Sequence, residues 1–379
     1  MDNGKPSLEQ TITLWTDHYF KRTRALVNFH GDVTVTYAVF MRRPVLFAPK
    51  LALDFLYATL QDRNQKAKIE LLHEEGAVVG SGQPLMYITG SLSALVDLET
   101  LLLQKLGPAC VAAYNAYSMC SELPKIAFLA MDVRHCAGLE MADMMAYAAC
   151  VGSERARKSH QATGFIGNAT DATAHYFHQK QGLGTMPHAF IGYAGSTVRA
   201  AELYHELYPD ESMTVLVDYF GKEISDSLAV CQRFPTLAKS GALMLRIDTP
   251  GGRYIEGLDS YKSYELLASL APEAIRGYRS ESELAYLVGH GTSAAAIHAL
   301  RATLDAQGFE KVKIVASSGF SPAKCRMMAV AKAPIDVIGS GSYLPTKWSE
   351  TYATADIIEY DGEPRVKLGR EFLFRSKEK

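Results

Sequence analysis

Hydrophobic and polar positions change period twice along the chain. Residues 33–42 (VTVTYAVFMR) alternate and are rich in β-branched and aromatic side chains, which predicts a strand. Residues 45–60 predict a helix, 67–72 and 85–90 two strands, and 94–106 a helix with a broad leucine face. From about Ile126 short apolar runs alternate with helical stretches. Strands are expected at 126–131, 164–166, 186–191, 213–217, 242–247, 312–316 and 337–338. Helices are expected between them at 139–152, 169–179, 198–208, 224–234 and 292–307. Strand and helix in repetition indicate a parallel sheet, and about seven such units suit a closed or partly closed α/β barrel. Residues 351–374 read as further strands about a turn at Tyr360-Asp361-Gly362-Glu363, returning to the first part of the chain. The expected organisation is an α/β domain over 1–125, completed by 346–379, and a barrel over 126–345.

Length and charge narrow the chemistry. At 379 residues the chain exceeds one ordinary domain, and its net charge of −2 provides no field to gather nucleic acid or an acidic membrane. Anionic substrates must then be held by a few placed arginines and backbone amides. The opening Met1-Asp2-Asn3-Gly4-Lys5-Pro6 leads into no apolar run, so no signal peptide is expected, and no stretch approaches membrane-spanning length. The six cysteines form no Cys-x-x-Cys pair and are read as reduced thiols of a cytoplasmic protein.

In a barrel, residues just past each strand line the catalytic mouth. Here those are Arg134 and His135, Asn168, His188, Asp218, Asp248, Ser317-Ser318-Gly319 and Gly339-Ser340-Gly341. Two glycine turns on late strands suit a phosphate, since glycine admits close backbone approach; each alone could be only a tight turn. Arg246 and Asp248 share a strand face. They offer a fork for carboxylate or phosphate and an acceptor for sugar hydroxyls, or else a structural ion pair. His188 is a nucleophile or phosphate contact, or a satisfied packing residue. His175 and His178 have no third ligand at metal spacing, and no metal site of the chain's own is expected.

Taken together, Thr16-Asp17-His18-Tyr19-Phe20, Gly164-Phe165-Ile166-Gly167-Asn168, Gly184-Thr185-Met186-Pro187-His188, Val217-Asp218, Arg246-Ile247-Asp248 and the turns at Gly319 and Gly339–Gly341 resemble the nicotinate phosphoribosyltransferase family. The family is close kin of the nicotinamide and quinolinate enzymes. The resemblance runs over nearly the whole chain. It implies an irregular TIM-like α/β barrel plus an α/β sandwich domain formed from both chain ends. It also implies a homodimer with shared active sites, in which one subunit's sandwich domain covers the other's barrel.

The resemblance makes Tyr19 a ring-stacking residue supported by Asp17, with Arg42 or Arg43 reaching the partner's pyrophosphate. Arg246 contacts the pyridine carboxylate or carbonyl, Asp248 the ribose hydroxyls, and Arg134 the ring and phosphates. Asn168 and Asp218 join the substrate site, and Ser318, Gly319, Gly339, Ser340 and Gly341 hold the 5′-phosphate. The histidine matching His188 is the one that ATP phosphorylates in ATP-coupled members; Pro187 before it departs from many of those, which leaves ATP coupling open. The implied reaction moves phosphoribosyl from phosphoribosyl pyrophosphate to nicotinate in NAD synthesis, with Mg2+ on the pyrophosphate. It runs by dissociative substitution at the anomeric carbon. Nicotinamide enzymes carry an aspartate where this chain has Ala169, so nicotinate is favoured. No cysteine follows Cys325, so the zinc knuckle of some relatives is not expected. The alternatives are a nicotinamide or quinolinate enzyme, a phosphosugar aldolase or lyase (for which no strand end offers a lysine), and a non-catalytic phosphosugar-binding barrel.

Overall fold

The computed structural model describes residues 6–348 and 353–375. Most of the opening stretch examined for a signal peptide and the first two residues of the expected tail strand, Thr351 and Tyr352, lie outside them. The chain divides into two compact units. One comprises Met1–Tyr117, Tyr147–Arg155 and Lys347–Lys379, the other Ser118–Ala146 and Ala156–Thr346. In chain order the described strands are β1 (Thr34–Met41), β2 (Val45–Leu46), β3 (Ala67–Leu71), β4 (Val78–Val79), β5 (Pro84–Ser91), β6 (Ala127–Ala130), β7 (Gly164–Asn168), β8 (Met213–Leu216), β9 (Leu243–Ile247), β10 (Lys313–Ala316), β11 (Val337–Ser340), β12 (Ala353–Tyr360) and β13 (Glu363–Pro364).

In the first unit an antiparallel sheet runs β13-β12-β1-β5-β3. The alternating run predicted at 33–42 is its central strand, and it is covered on both faces. Tyr37 and Val39 point toward Leu56, Leu98 and Leu102, while Ala38 and Phe40 pack with Tyr87, Ile358 and Leu373. The C-terminal segment therefore supplies both a strand and one lid of the core. The hairpin turns at Asp361 and Gly362, both at positive φ. Beyond it the chain makes a 3₁₀ turn at Glu371–Leu373 in place of the expected strand, and the Leu373 carbonyl accepts from Tyr87 Oη at 3.1 Å.

Two predicted helices change shape. The one expected at 45–60 begins at Lys50, because Pro44 and Pro49 disfavour helical geometry before them; Val45–Leu46 pairs with Val78–Val79 instead. The one expected at 94–106 is a short helix, Leu92–Leu95, then a 3₁₀ turn, Val96–Leu98, then a helix from Glu99 to Glu122. The interruption turns Asp97 inward. Arg63 donates to both Asp97 carboxylate oxygens, at 2.7 and 2.8 Å, and Arg24 donates at 2.8 Å. Both arginines also hold Glu9, so one ion network joins the helices Leu8–Trp15, His18–His30 and Lys50–Asp62 to the turn.

In the second unit the described strands form a parallel sheet in the order β7-β6-β11-β10-β9-β8. The α/β class is the expected one. The strand expected at 186–191 is absent: residues 184–187 form neither strand nor helix, and His188–Ala194 is a helix. Pro187, with no N–H and a fixed φ, is suited to the helix start and not to a central strand. The sheet therefore has open edges at β7 and β8. The region 169–179 is a 3₁₀ stretch, Asp171–Phe177. No helix among the described residues is long and apolar enough to cross a membrane.

Asp97 and Arg63 are both about 95% buried at the side chain. Removing Asp97 leaves the buried Arg63 with only the partly exposed Glu9 as its acid. Asp97→Ala is expected to cost about 3–5 kcal/mol in urea unfolding. Glu9→Ala, at the half-exposed rim, should cost below about 1 kcal/mol. Equal small losses from both would show that the network adds nothing beyond surface pairing.

Candidate active site at the strand ends of the parallel sheet

Parallel strands bring all their carboxyl ends to one side, so the sheet order fixes which polar groups become neighbours. Along that edge stand Asn168 at the end of β7, Asp132 and Arg134 after β6, Gly339-Ser340-Gly341 at the end of β11, Ser317-Ser318-Gly319 after β10, Arg246 on β9 with Asp248 just past it, and Asp218 after β8. The two glycine turns are adjacent because β10 pairs with β11. Close packing demands the glycines of β11. A Cβ on Gly339 would lie 3.0 Å from Met131 Sδ and 3.3 Å from Ser317 Cβ, and one on Gly341 would lie 3.3 Å from the Met131 carbonyl. Gly319 differs: it has φ +67° and open space where a side chain would project. Ser318 before it also has positive φ, +81°, a conformation that costs a serine about 1–3 kcal/mol. The Ser340 side chain is buried with its hydroxyl facing Met119 Sδ at 3.9 Å, so that residue offers the turn its backbone.

Arg246 is the best-anchored group of the site and is 8% exposed. Its Nε donates to Ser317 Oγ at 3.0 Å, Nη1 to Thr185 Oγ1 at 2.8 Å and Nη2 to Asp248 Oδ2 at 2.8 Å. Ser317 Oγ also lies 2.8 Å from Asp248 Oδ1. A guanidinium has five N–H groups, so these bonds leave one on each terminal nitrogen for a ligand. Asp248, held by two donors, remains partly open to solvent.

His188, expected on a strand, is the first residue of the helix His188–Ala194. Its Nε2 lies 3.2 Å from Asp218 Oδ2. An ionised carboxylate only accepts, so Nε2 is the donor of this contact and Nδ1 is the ring nitrogen it leaves free. The His188 side chain is half exposed, whereas Asp218 is buried. Burial raises the Asp218 carboxyl above its ordinary range, and the bond from His188 opposes that rise. Asp218 Oδ1 is buried without a hydrogen-bond partner, and so is Asn168 Oδ1. Asn168 Nδ2 donates to the hydroxyls of Thr170, at 3.2 Å, and Thr173. Arg134 sits exposed in the 3₁₀ turn Val133–His135, its Nε 3.3 Å from His135 Nε2.

Tyr19, Asp17 and Arg43 belong to the first unit. Tyr19 projects to solvent from the first turn of the helix His18–His30, its hydroxyl 3.5 Å from Asp17 Oδ2. Thr100 Oγ1 donates to the same Asp17 oxygen at 2.8 Å. Desolvation first, then the Asp17 charge, raises the Tyr19 phenol above its usual pKa. Arg43 is half buried in the segment after β1.

Several groups escape a reading of the sequence. Thr185 anchors Arg246 from the segment just before the strand expected at 186–191. Glu223 is fully buried and accepts from Thr249 Oγ1 at 2.8 Å and from Arg253, whose Nη2 also donates to the Asp218 carbonyl at 2.9 Å. Asp132 is buried, which pushes its carboxyl up to about 6. Lys324 is buried beneath the Ser318 turn. A charged residue near a helix start ordinarily reads as solvated, so only Thr185, inside a quoted motif, carried a signal.

Comparison with known proteins bears on the fold. Residues 17–110 match the family model described as quinolinate phosphoribosyl transferase, N-terminal domain. No curated protein sequence matches the chain. Among solved structures, nicotinate-nucleotide pyrophosphorylase from Pyrococcus furiosus is 21% identical, with 97% of this chain and 81% of that one covered and a TM-score of 0.71. Human nicotinic acid phosphoribosyltransferase is 17% identical over 94% of this chain and 76% of that one, with a TM-score of 0.62. Nicotinate-nucleotide pyrophosphorylase from Ehrlichia chaffeensis is 12% identical over 92% and 97%, with a TM-score of 0.57. The chain shares the α/β fold of these structures and carries, over residues 17–110, a match to the quinolinate phosphoribosyltransferase N-terminal domain.

Proposed function

We propose that this protein is a phosphoribosyltransferase of NAD synthesis that joins nicotinate to the phosphoribosyl group of phosphoribosyl pyrophosphate. The observation that carries this reading is the convergence at one edge of the sheet of Arg246, Asp248 and the His188–Asp218 pair with two adjacent glycine turns. The relatives of like fold, named for nicotinate chemistry, support the reaction class. Arg246 receives the pyridine carboxylate on its two remaining N–H groups. Asp248 accepts from ribose hydroxyls, and the Ser318–Gly319 and Gly339–Gly341 turns hold the 5′-phosphate through backbone N–H groups, with Arg134 and Asn168 completing the site. The chain's work is to fix the ring nitrogen in line with the anomeric carbon and to surround the developing ribosyl cation with acceptors.

Asp218 Oδ1, without a partner, and the partly exposed Asp248 are hard oxygen donors of the kind that suit Mg2+ arriving with pyrophosphate. That ion would neutralise charge on the leaving group. His188 Nδ1 is the nitrogen that would take a phosphoryl group from ATP. The exposed apolar side chains Leu14, Trp15, Tyr19, Leu26 and Phe29 support a homodimer in which Tyr19 stacks in the partner's site, with Arg43 at its pyrophosphate. Six free thiols suit a cytoplasmic location.

A quinolinate reading has one observation in its favour, the family-model match at residues 17–110. A second ring carboxylate would call for a second cation beside Arg246, and exposed Arg134 is the available one. Ala169 follows Asn168 at the mouth and presents no acid, which favours a carboxylated ring over an amide.

Purified protein with phosphoribosyl pyrophosphate and Mg2+ should convert nicotinate to its mononucleotide, followed by mass. Conversion of quinolinate with release of CO2 would select the second reading, and no product from nicotinate, nicotinamide or quinolinate would remove the reaction class. Any stimulation by ATP should vanish in His188→Ala. Arg246→Lys, which loses the planar fork, should raise KM for nicotinate about 10- to 100-fold, the equivalent of about 1.5–3 kcal/mol for a bond to a charged group. Ala169→Asp should lower kcat/KM for nicotinate and raise it for nicotinamide; an unchanged ratio would remove Ala169 from substrate choice.

A further inference from the structure

Lys324 is placed where a lysine is electrostatically costly. It is 6% exposed, in the first turn of the helix Pro322–Val330, where the helix dipole already disfavours a cation. Ser321 caps that helix, accepting from the Lys324 N–H at 3.3 Å. The Lys324 ammonium donates to the Ser318 carbonyl at 2.7 Å and lies 4.4 Å from the centre of the Phe320 ring. Neither contact neutralises it, and no ion pair joins it to an acid among the described residues. Asp248 just past β9 acts on it from a distance, and Cys325 beside it is a buried thiol held protonated. The acids Glu122 and Glu283 on neighbouring elements act on Arg326 of the same helix. Burial accordingly pushes the Lys324 ammonium down to about 8.

The carbonyl that Lys324 holds belongs to Ser318, the non-glycine residue in left-handed geometry that opens the turn. An ammonium bond at that carbonyl is a direct reason for the strained φ to persist. The same bond puts a positive charge, with no counter-ion, beneath the backbone that faces the mouth.

We propose that Lys324 is a positioning residue of a phosphate subsite: its ammonium pins the Ser318 carbonyl to keep the Ser318–Gly319 turn in receiving shape, and its buried charge is the one an incoming sugar phosphate neutralises. This rests on the reading that the turn holds the 5′-phosphate. Binding is then linked to the protonation of Lys324. The free-state pKa lies near 8 and the anion raises it, so the contribution is complete below about 8 and is lost progressively as pH rises from there toward the raised value of the bound state.

The test is calorimetric binding of phosphoribosyl pyrophosphate with Mg2+ at pH 7 and pH 9 to wild type, Lys324→Arg and Lys324→Met, alongside turnover of nicotinate. Wild-type affinity should fall roughly tenfold between the two pH values, as one proton per ligand requires. Lys324→Arg, charged at both, should bind with a flat profile. Lys324→Met should bind at least about tenfold more weakly at pH 7, also with a flat profile. If Lys324→Met does not fold, the wild-type and Arg profiles still decide. A tenfold fall that persists in Lys324→Arg, or a Met variant that binds like wild type, overturns the proposal while turnover leaves the reaction intact. Absence of any binding or turnover in wild type overturns the reaction and the proposal together.

Discussion

Arg246 is the group around which the mouth of the parallel sheet is organised. It is permanently charged, nearly buried, and tied to three different segments: Ser317 just after β10, Asp248 just past the end of its own strand, and Thr185 in the loop before the helix His188–Ala194. A buried guanidinium left without partners would cost several kcal/mol, so the positions of those three segments are coupled to one side chain. Asp248 is correspondingly fixed, since Arg246 and Ser317 each occupy one of its oxygens. The Thr185 bond also secures the start of the segment that carries His188 toward Asp218.

A second layer supports these contacts. Glu223 and Arg253 hold the loop after β9 to the chain just past β8, and Arg253 bonds to the Asp218 carbonyl. Glu256 returns the favour at the helix Glu223–Arg233, accepting from the N–H groups of Ile224 and Ser225 at 2.9 and 2.8 Å. The spacing of Asp218 and Asp248 is thereby set by a reciprocal clamp between the two loops. Against these acids stand Arg246, Lys324 and the backbone of the two glycine turns. Positive and negative groups therefore occur side by side at the strand ends, as the proposed reaction at a phosphorylated sugar requires.

The first unit depends on a comparable constraint of its own. Asp97 draws Arg63 and Arg24 together at the interruption between two helices, and the C-terminal strand completes the sheet that packs on them. Tyr19 remains outside this core on the helix His18–His30. Exposed apolar side chains of this kind are the feature of this unit on which the proposed dimer rests.

Periodicity along the chain determined the α/β class, the strands at 33–42, 67–72 and 85–90, and six of the seven strands expected after Ile126. Each of these is a local pattern whose buried face shows in the residue types. Glycine turns, Arg246 and Asp248 were legible because a strand of alternating faces ends in residues that cannot be core. The seventh strand was misread at Met186–Ile191, where the apolar residues serve a loop and a helix start and Pro187 outweighs them. Which groups meet was decided only by tertiary structure. The order β7-β6-β11-β10-β9-β8 joins the first strand of this unit to its last, and it is this pairing of β6 with β11 that sets Arg134 and Asn168 on the same edge as the glycine turns. Burial of Glu223, Asp132 and Lys324 has no local signature, because a charged side chain looks solvated in sequence until long-range packing removes the water around it.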